Sequence, residues 1–149
     1  MRARAPSTPS RTQGVPLWSP EVDIRMWSAC TYNFWNGEAN ACVMDEDITV
    51  DDAGAYALVV SAASKRPVVA VPARGVTWLD AGRFLDGQIN FRMLLGSGRF
   101  LTELKAAIQT GEASPEIAPY VPQTAHCSRA AFEAGGFAGC ASGWRGASR

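Results

Sequence analysis

The densest group of ionisable side chains in this chain of 149 residues lies between positions 45 and 52. Its five carboxylates belong to Asp45, Glu46, Asp47, Asp51 and Asp52. Clustered carboxylate oxygens are the ligands that Ca²⁺ takes in proteins, so Asp45 and Asp47 are candidate metal ligands. The spacing of an EF-hand is absent, however, and Asp51 and Asp52 precede Gly54 as ordinary turn residues do. A solvated hairpin is therefore favoured over a calcium site.

Acid–base or nucleophilic catalysis would need partners that the sequence does not place together. Glycoside hydrolysis requires two converging carboxylates, whereas neighbours such as Asp45 and Glu46 point to opposite faces of a strand. His126 is the only histidine, and the chain contains no G-x-S-x-G elbow to supply a nucleophile. We interpret His126 as a partly buried packing residue. The alternative is a small hydrolase whose site assembles near His126 or near the carboxylates of Asp45 and Asp47.

Two further side chains could contact a ligand. Trp35 lies in the loop FWNGEAN between the first two cysteines, where an exposed indole could stack on a sugar or a peptide. Arg92 is a charge within the otherwise apolar segment INFRMLL. It could orient an anionic ligand, but a structural ion pair with Asp47 or Asp80 is the favoured interpretation.

The four cysteines indicate a redox compartment. Cys30 and Cys42 are twelve positions apart and Cys127 and Cys140 are thirteen apart, so each pair can close a local loop. Of the three possible pairings we favour these two disulfides, and the alternative is four reduced thiols in a cytosolic protein. The C-x-x-C spacing of zinc sites is absent, and we expect no cofactor. Disulfides persist in oxidising compartments, which predicts an extracytoplasmic or secreted protein.

Composition excludes some classes of partner. The chain carries 14 basic and 14 acidic residues, for a net charge of zero, whereas nucleic-acid binding normally requires a basic face. No segment approaches the roughly 18 consecutive apolar residues of a membrane span. The first residues, MRARAPSTPSRTQG, lack the apolar core of a signal peptide. We therefore expect a small molecule or a protein as the partner, and the sequence does not predict the oligomeric state.

The elements that must position these side chains are mainly strands. Residues 1–16 are rich in Pro, Ser and Arg and are predicted to be a disordered tail, residues 17–142 a single β-rich domain, and residues 143–149 a flexible tail. Apolar residues alternate with others from residue 24 to residue 95, with Trp27 and Trp78 among the core candidates. The predicted strands are DIRMWSACTY, ACVM, AYALVVSAA, VVAV, VTWL and QINFRMLL.

Two short helices are predicted after the strands. FLTELKAAIQ has apolar residues at helical spacing and ends before Gly111, and RAAFEA begins after a capping Ser128 and ends at Gly135 and Gly136. The sequence therefore predicts a mainly β fold, an antiparallel β-sandwich with one or two short C-terminal helices. A half-open barrel is the alternative.

The order of these segments resembles a family of exported bacterial proteins. The resemblance is carried by RMWSAC, CVMDED, DDAGAYALVVS, KRP, GVTWL and INFRMLL, and it covers residues 23 to 140. The same order is similar to the β-sandwich C-terminal domain, a domain of unknown function, of a broader bacterial family. The resemblance implies a fold and an exported location but no activity. We therefore expect an exported β-sandwich that binds a ligand or partner, or else the small hydrolase or a structural domain of a longer protein or assembly.

Overall fold

Two three-stranded sheets form the framework of the molecule. The computed structural model describes residues 1–9, 14, 21–96 and 98–143. Numbered in chain order, the strands of these residues are β1 (Arg2–Arg4), β2 (Met26–Asn33), β3 (Ala39–Met44), β4 (Ala55–Ser61), β5 (Thr77–Asp80) and β6 (Gly87–Leu94). The sheet orders are β1–β4–β5 and β3–β2–β6. Two helices follow, α1 (Phe100–Thr110) and α2 (Arg129–Gly143), so the predicted mainly β fold with C-terminal helices is confirmed.

Strand β2 is the centre of the second sheet. It pairs antiparallel with β3 on one side and with β6 along its whole length on the other. Trp27, Ala29 and Thr31 lie on one face and Ser28 and Cys30 on the other, and all five are buried, so both faces of this stretch are covered. The register places Cys30 opposite Cys42 on β3, and the predicted disulfide between them is confirmed. This bridge fixes the pairing of two adjacent strands.

Trp27 connects the two sheets. Its ring lies 4.9 Å from the ring of Tyr56 on β4 and 6.2 Å from that of Phe91 on β6, measured between centroids. Only 2% of Trp27 is exposed, and Leu58 and Leu104 are equally buried within the same core cluster. The prediction that Trp27 belongs to the core is confirmed. One aromatic side chain thus contacts residues from both sheets.

The pairing of β4 with β5 differs from the antiparallel arrangement that we expected. These two strands are parallel, with Leu58 opposite Thr77 and Ser61 opposite Asp80. A parallel pair needs a crossover of about a dozen residues, and residues 62–76 supply one. The segment VVAV within this crossover is not a strand, because Ala70 N–H closes a turn onto the carbonyl of Pro67. The proline-flanked apolar run is therefore part of the connection.

The N-terminal segment differs from the predicted disordered tail. Residues 2–4 form β1, which pairs antiparallel with the first half of β4. Ala3 is buried between two exposed arginines, so even this short, polar strand alternates correctly. The guanidinium of Arg2 also binds the carboxylate of Asp51 at 2.7 Å. Residues 10–13, 15–20 and 144–149 of the predicted tails lie outside the described residues.

Both helices end or bend at a glycine. Gly111 terminates α1 with a φ of 77°, which only glycine adopts without steric cost. The Ser128 Oγ accepts a hydrogen bond from Ala131 N–H at 3.2 Å, as expected of an N-cap. The predicted end of α2 at Gly136 is a kink with a φ of 58°, and helix resumes as far as Gly143. The predicted disulfide between Cys127 and Cys140 fastens this second part to the segment before α2.

Burial of Tyr56 predicts an alkaline limit to stability. Desolvation raises the pKa of its phenol well above the ordinary value. Above about pH 10 the unfolded chain loses this proton while the folded protein keeps it, so stability falls as pH rises. We expect urea midpoints of the wild type to fall between pH 8 and about pH 11 more steeply than those of Tyr56→Phe. Equal alkaline losses in the two proteins would contradict the assignment to Tyr56.

Candidate functional site

A cleft lies beside the C-terminal half of β4. The main chain of Leu58 exchanges hydrogen bonds with that of Met1, at 2.8 and 3.0 Å. Strand β4 continues to Ser61, and the N–H and C=O groups of successive residues point to alternate sides of the strand. Val60 therefore directs its N–H and C=O to the same side as Leu58. The segment 124–128 passes beside this part of β4, and the space between the segment and the strand is the cleft.

Two adjoining cavities make up this cleft, which we call the β4 cleft. The first has a volume of about 370 Å³ and lies beside the N-terminal part of α2. The second has a volume of about 430 Å³ and extends towards the start of β6. The two share Met1, Leu58, Val60, Ala125 and His126 as lining residues. Leu58 is buried in the floor and His126 is exposed at the shared boundary, which corrects our expectation of a partly buried histidine.

The first cavity has an apolar floor and a basic rim. Phe132 and Cys140 line it and are buried, whereas Lys65, His126 and Arg129 are exposed around the opening. The residues that line the first cavity include no Asp or Glu, and the same holds for the second. The charged lining of the β4 cleft is therefore entirely basic.

Glu133 is bonded to one residue of this rim, Arg129. One carboxylate oxygen of Glu133 accepts hydrogen bonds from Val68 N–H and from Arg129 Nε, both at 2.8 Å. The hydrogen bond from Val68, and then that from Arg129, lower the pKa of Glu133. Glu133 thus stays ionised and holds one edge of the Arg129 guanidinium.

The second cavity leads to a group of exposed apolar side chains. Phe84 and Leu85 line it and lie in the loop between β5 and β6. Together with Phe34 and Trp35 of the β2–β3 loop they form what we call the aromatic tip. Leu85 is fully exposed and Trp35 is 76% exposed, so the predicted exposure of Trp35 is observed.

Trp35 is held in place although it is exposed. Its indole N–H donates to the carboxylate of Asp86 at 3.0 Å, and its main-chain N–H donates to the side-chain oxygen of Asn33, also at 3.0 Å. The ring of Phe34 meets it edge to face, with 5.3 Å between the centroids. A rigid apolar side chain loses little conformational entropy on binding. The ligand-binding role of Trp35 stays a prediction.

The acidic cluster is dispersed around a turn. Asp45 is buried at the start of a single 3-10 turn, whereas Glu46 and Asp47 are exposed. Asp51 accepts hydrogen bonds from the N–H groups of Ala53 and Ala55, and the bond from Ala55 is the largest cause of its lowered pKa. Within the ranges described, no three His, Cys, Asp or Glu side chains gather as metal ligands would. The calcium hypothesis gains no support from this arrangement.

Arg92 does not form the ion pair that we expected. Its exposed guanidinium lies over the ring of Tyr32, 5.9 Å from the centroid. Among the described residues no ion pair joins it to Asp47 or Asp80, and Asp80 instead accepts a hydrogen bond from Gly82 N–H. The register explains this, because Arg92 lies opposite Ser28 on β2 while Asp80 belongs to the other sheet.

The residues suggested for a hydrolase are not brought together. Neither Asp45 nor Asp47 lines the cavities that His126 borders, and neither do Trp35 and Arg92. Ser128 does line the first cavity, but its Oγ caps α2. The residues that line the two cavities give His126 neither an orienting acid nor a free nucleophile, and a hydrolytic triad requires both.

Sequence reasoning missed four of the residues described above: Lys65, Arg129, Phe84 and Leu85. A signal existed for the last two, because two apolar residues stand in the short loop between Gly82 and Gly87, where they have no strand face to pack on. Lys65 and Arg129 carried no signal, since isolated basic residues are usual on a surface.

Comparisons of the chain with models of protein families, with curated proteins and with solved structures gave no match. Within the described ranges, neither α1 nor α2 combines the length and the apolar content that a membrane crossing requires. The four cysteines, all described, form two disulfides, which is typical of proteins outside the reducing cytosol.

Proposed function

We propose that this chain is an exported ligand-binding domain and that its ligand occupies the β4 cleft. The proposal is supported above all by the sharing of Met1, Leu58, Val60, Ala125 and His126 by two adjacent cavities. Each cavity alone falls within the range of about 300 to 1,000 Å³ that is usual for small-molecule sites. An apolar floor with a few polar groups at the rim is also the usual lining of such sites.

We also propose an architecture and a location for this chain. We infer a β-sandwich in which Trp27 contacts Tyr56 of the opposite sheet, and a half-open barrel stays the alternative. Export is supported by the two disulfides, and it agrees with the resemblance to exported bacterial proteins. Membership of that family is part of the same proposal. The acid-free cleft gives less support to a hydrolase.

Binding of octanol, an uncharged amphiphile, tests the proposed function. We expect amide NMR shifts at Val60 and Phe132 on titration, because the alkyl chain lies on the apolar floor. His126→Trp should weaken octanol binding roughly tenfold or more, about 1.4 kcal/mol, because an indole at the shared boundary fills the cleft. Gln109→Trp places the same side chain on an exposed position of α1 and serves as the matched control.

The distribution of the shifts decides the outcome. Shifts confined to Phe34 and Trp35, which line neither cavity, or equal effects of the two tryptophan variants, would show that octanol binds elsewhere and would overturn the proposed site. Because both replaced side chains are exposed, neither variant should disturb the core, and matching circular dichroism spectra will verify that.

A second candidate function is the docking of a protein partner on the aromatic tip. Clustered exposed aromatic and aliphatic side chains mark many interaction surfaces, and tryptophan is prominent among residues that dominate binding energy. The hydrogen bond from Trp35 to Asp86 favours this surface, because it holds the indole in one position without a partner. A structural domain of a longer protein or assembly would use the same surface.

A further inference from the structure

We propose that the ligand of the β4 cleft is a small amphiphile with an anionic group, such as a medium-chain carboxylate, received by Lys65, His126 and Arg129. This inference rests on the proposed function and adds the chemical class of the ligand. It assigns the anionic group to the first cavity, where all three side chains lie, and the apolar chain to the floor that continues into the second.

The charged side chains that line the β4 cleft are all basic. The chain has as many acidic as basic residues, so a surface of average composition would expose both signs. The β4 cleft departs from that average, because its lining includes Lys65, His126 and Arg129 but no Asp or Glu. A concave site with charges of one sign attracts ligands of the opposite sign, and its low-dielectric walls strengthen the attraction.

These basic groups have donors that are available to a ligand. Lys65 ends the 3-10 turn that follows β4, and no described residue forms an ion pair or hydrogen bond with its ammonium group. Of the Arg129 nitrogens, only Nε donates a hydrogen bond to Glu133, which leaves the terminal N–H groups of the guanidinium to bind a ligand. The His126 imidazole carries at least one N–H donor in either protonation state. Several donors therefore surround one opening.

The apolar floor favours an amphiphile over an inorganic anion. Leu58, Val60 and Phe132 could not solvate phosphate or sulfate, and a cavity of about 370 Å³ is far larger than either ion. An alkyl chain buried on this floor contributes about 0.8 kcal/mol for each CH₂ group removed from water. The lining thus matches a ligand that combines an apolar chain with one anionic group.

Three probes with the same alkyl chain test the inference: octanoate, octanol and octyltrimethylammonium. We expect octanoate to bind several-fold more tightly than octanol, and the cationic probe to bind most weakly. Raising the salt concentration should weaken octanoate binding and leave octanol binding unchanged, because salt screens only the charge interaction. Isothermal titration calorimetry, with amide NMR shifts to locate each probe, supplies the measurements.

Charge-removing variants assign the effect to the rim. Lys65→Gln should weaken octanoate binding about fivefold, and the double variant with Arg129→Gln should weaken it further, because exposed ion pairs each contribute modestly. Octanol binding should fall by less than octanoate binding in each variant, because an uncharged hydroxyl loses only a hydrogen bond and no charge interaction. Lys105→Gln removes the same charge from an exposed position on α1 and is expected to change neither affinity.

The outcomes separate the inference from the proposed function. Equal affinities for octanoate and octanol, or equal effects of Lys65→Gln and Lys105→Gln, would overturn the anionic ligand and leave the ligand-binding cleft intact. Binding of inorganic phosphate as tight as that of octanoate would also overturn the amphiphile. A failure of all three alkyl probes to bind would overturn both proposals.

Discussion

Replacing Trp27 with alanine lowers the free energy of unfolding by about 3 to 5 kcal/mol, the range for truncating a buried large aromatic residue. The indole contacts Tyr56 and Phe91, so its removal leaves a cavity between the two sheets. Surrounding side chains cannot fill that space, because β2 is held by pairing on both edges. Urea denaturation followed by circular dichroism will measure the loss.

Trp35→Ala is the matched control for this experiment. Trp35 is 76% exposed, so its truncation removes a hydrogen bond to Asp86 and little buried area. We expect a loss below about 1.5 kcal/mol, the usual upper value for one such bond. Equal losses for the two variants would contradict the assignment of Trp27 to the core. The same Trp35 variant then tests partner binding on a molecule that stays folded.

Removing the Cys127–Cys140 disulfide has the second largest effect, on stability and on the β4 cleft together. The bridge closes a loop with a sequence separation of 13, for which chain entropy predicts about 3 kcal/mol. Both cysteines also line the first cavity, so we expect the double alanine variant to lose octanol binding as well. Thermal unfolding and NMR titration at a temperature where the variant is folded supply the two measurements.

The other disulfide separates these two effects. Cys30 and Cys42 have a nearly equal separation of 12, so their double alanine variant should lose a similar amount of stability. Neither residue lines the β4 cleft, and octanol binding should therefore persist. Loss of binding in both variants would show that the effect is one of general destabilisation. Alkylation should modify no cysteine before reduction and all four afterwards.

The elements with strong periodicity were predictable from the sequence. Alternation around Trp27 indicated β2, and apolar residues at helical spacing followed by Gly111 indicated α1. The direction of pairing was not predictable, because period-two alternation is the same in parallel and antiparallel strands. The parallel pairing of β4 with β5 depends on the path of residues 62–76, and short apolar runs such as VVAV in that path are ambiguous.

Strand β1 shows why composition alone misled. Its three residues have no intrinsic tendency to form a strand, and the structure that they adopt comes from pairing with β4 and burial of Ala3. Such a strand is specified by its partner, more than 50 positions away in the sequence. A composition rich in Pro, Ser and Arg describes the segment correctly but contains no information about that partner.

The candidate site was predictable only where it depends on local spacing. Both disulfides were predicted because each pair of cysteines closes a short loop. The β4 cleft could not be predicted, because it is a gap between segments far apart in the chain, β4 and residues 124–128. Arg92 was misassigned for the same reason, since the register that places it opposite Ser28 is a property of the assembled sheet.

The strand orders also determine when the fold can be completed during synthesis. The first sheet joins β1 to β4 and β5, and the second cannot close until β6 has been made. A growing chain therefore leaves the ribosome without a finished sheet until residue 80, and without both until residue 94. Late closure thus leaves strand edges unpaired during most of the synthesis of the chain.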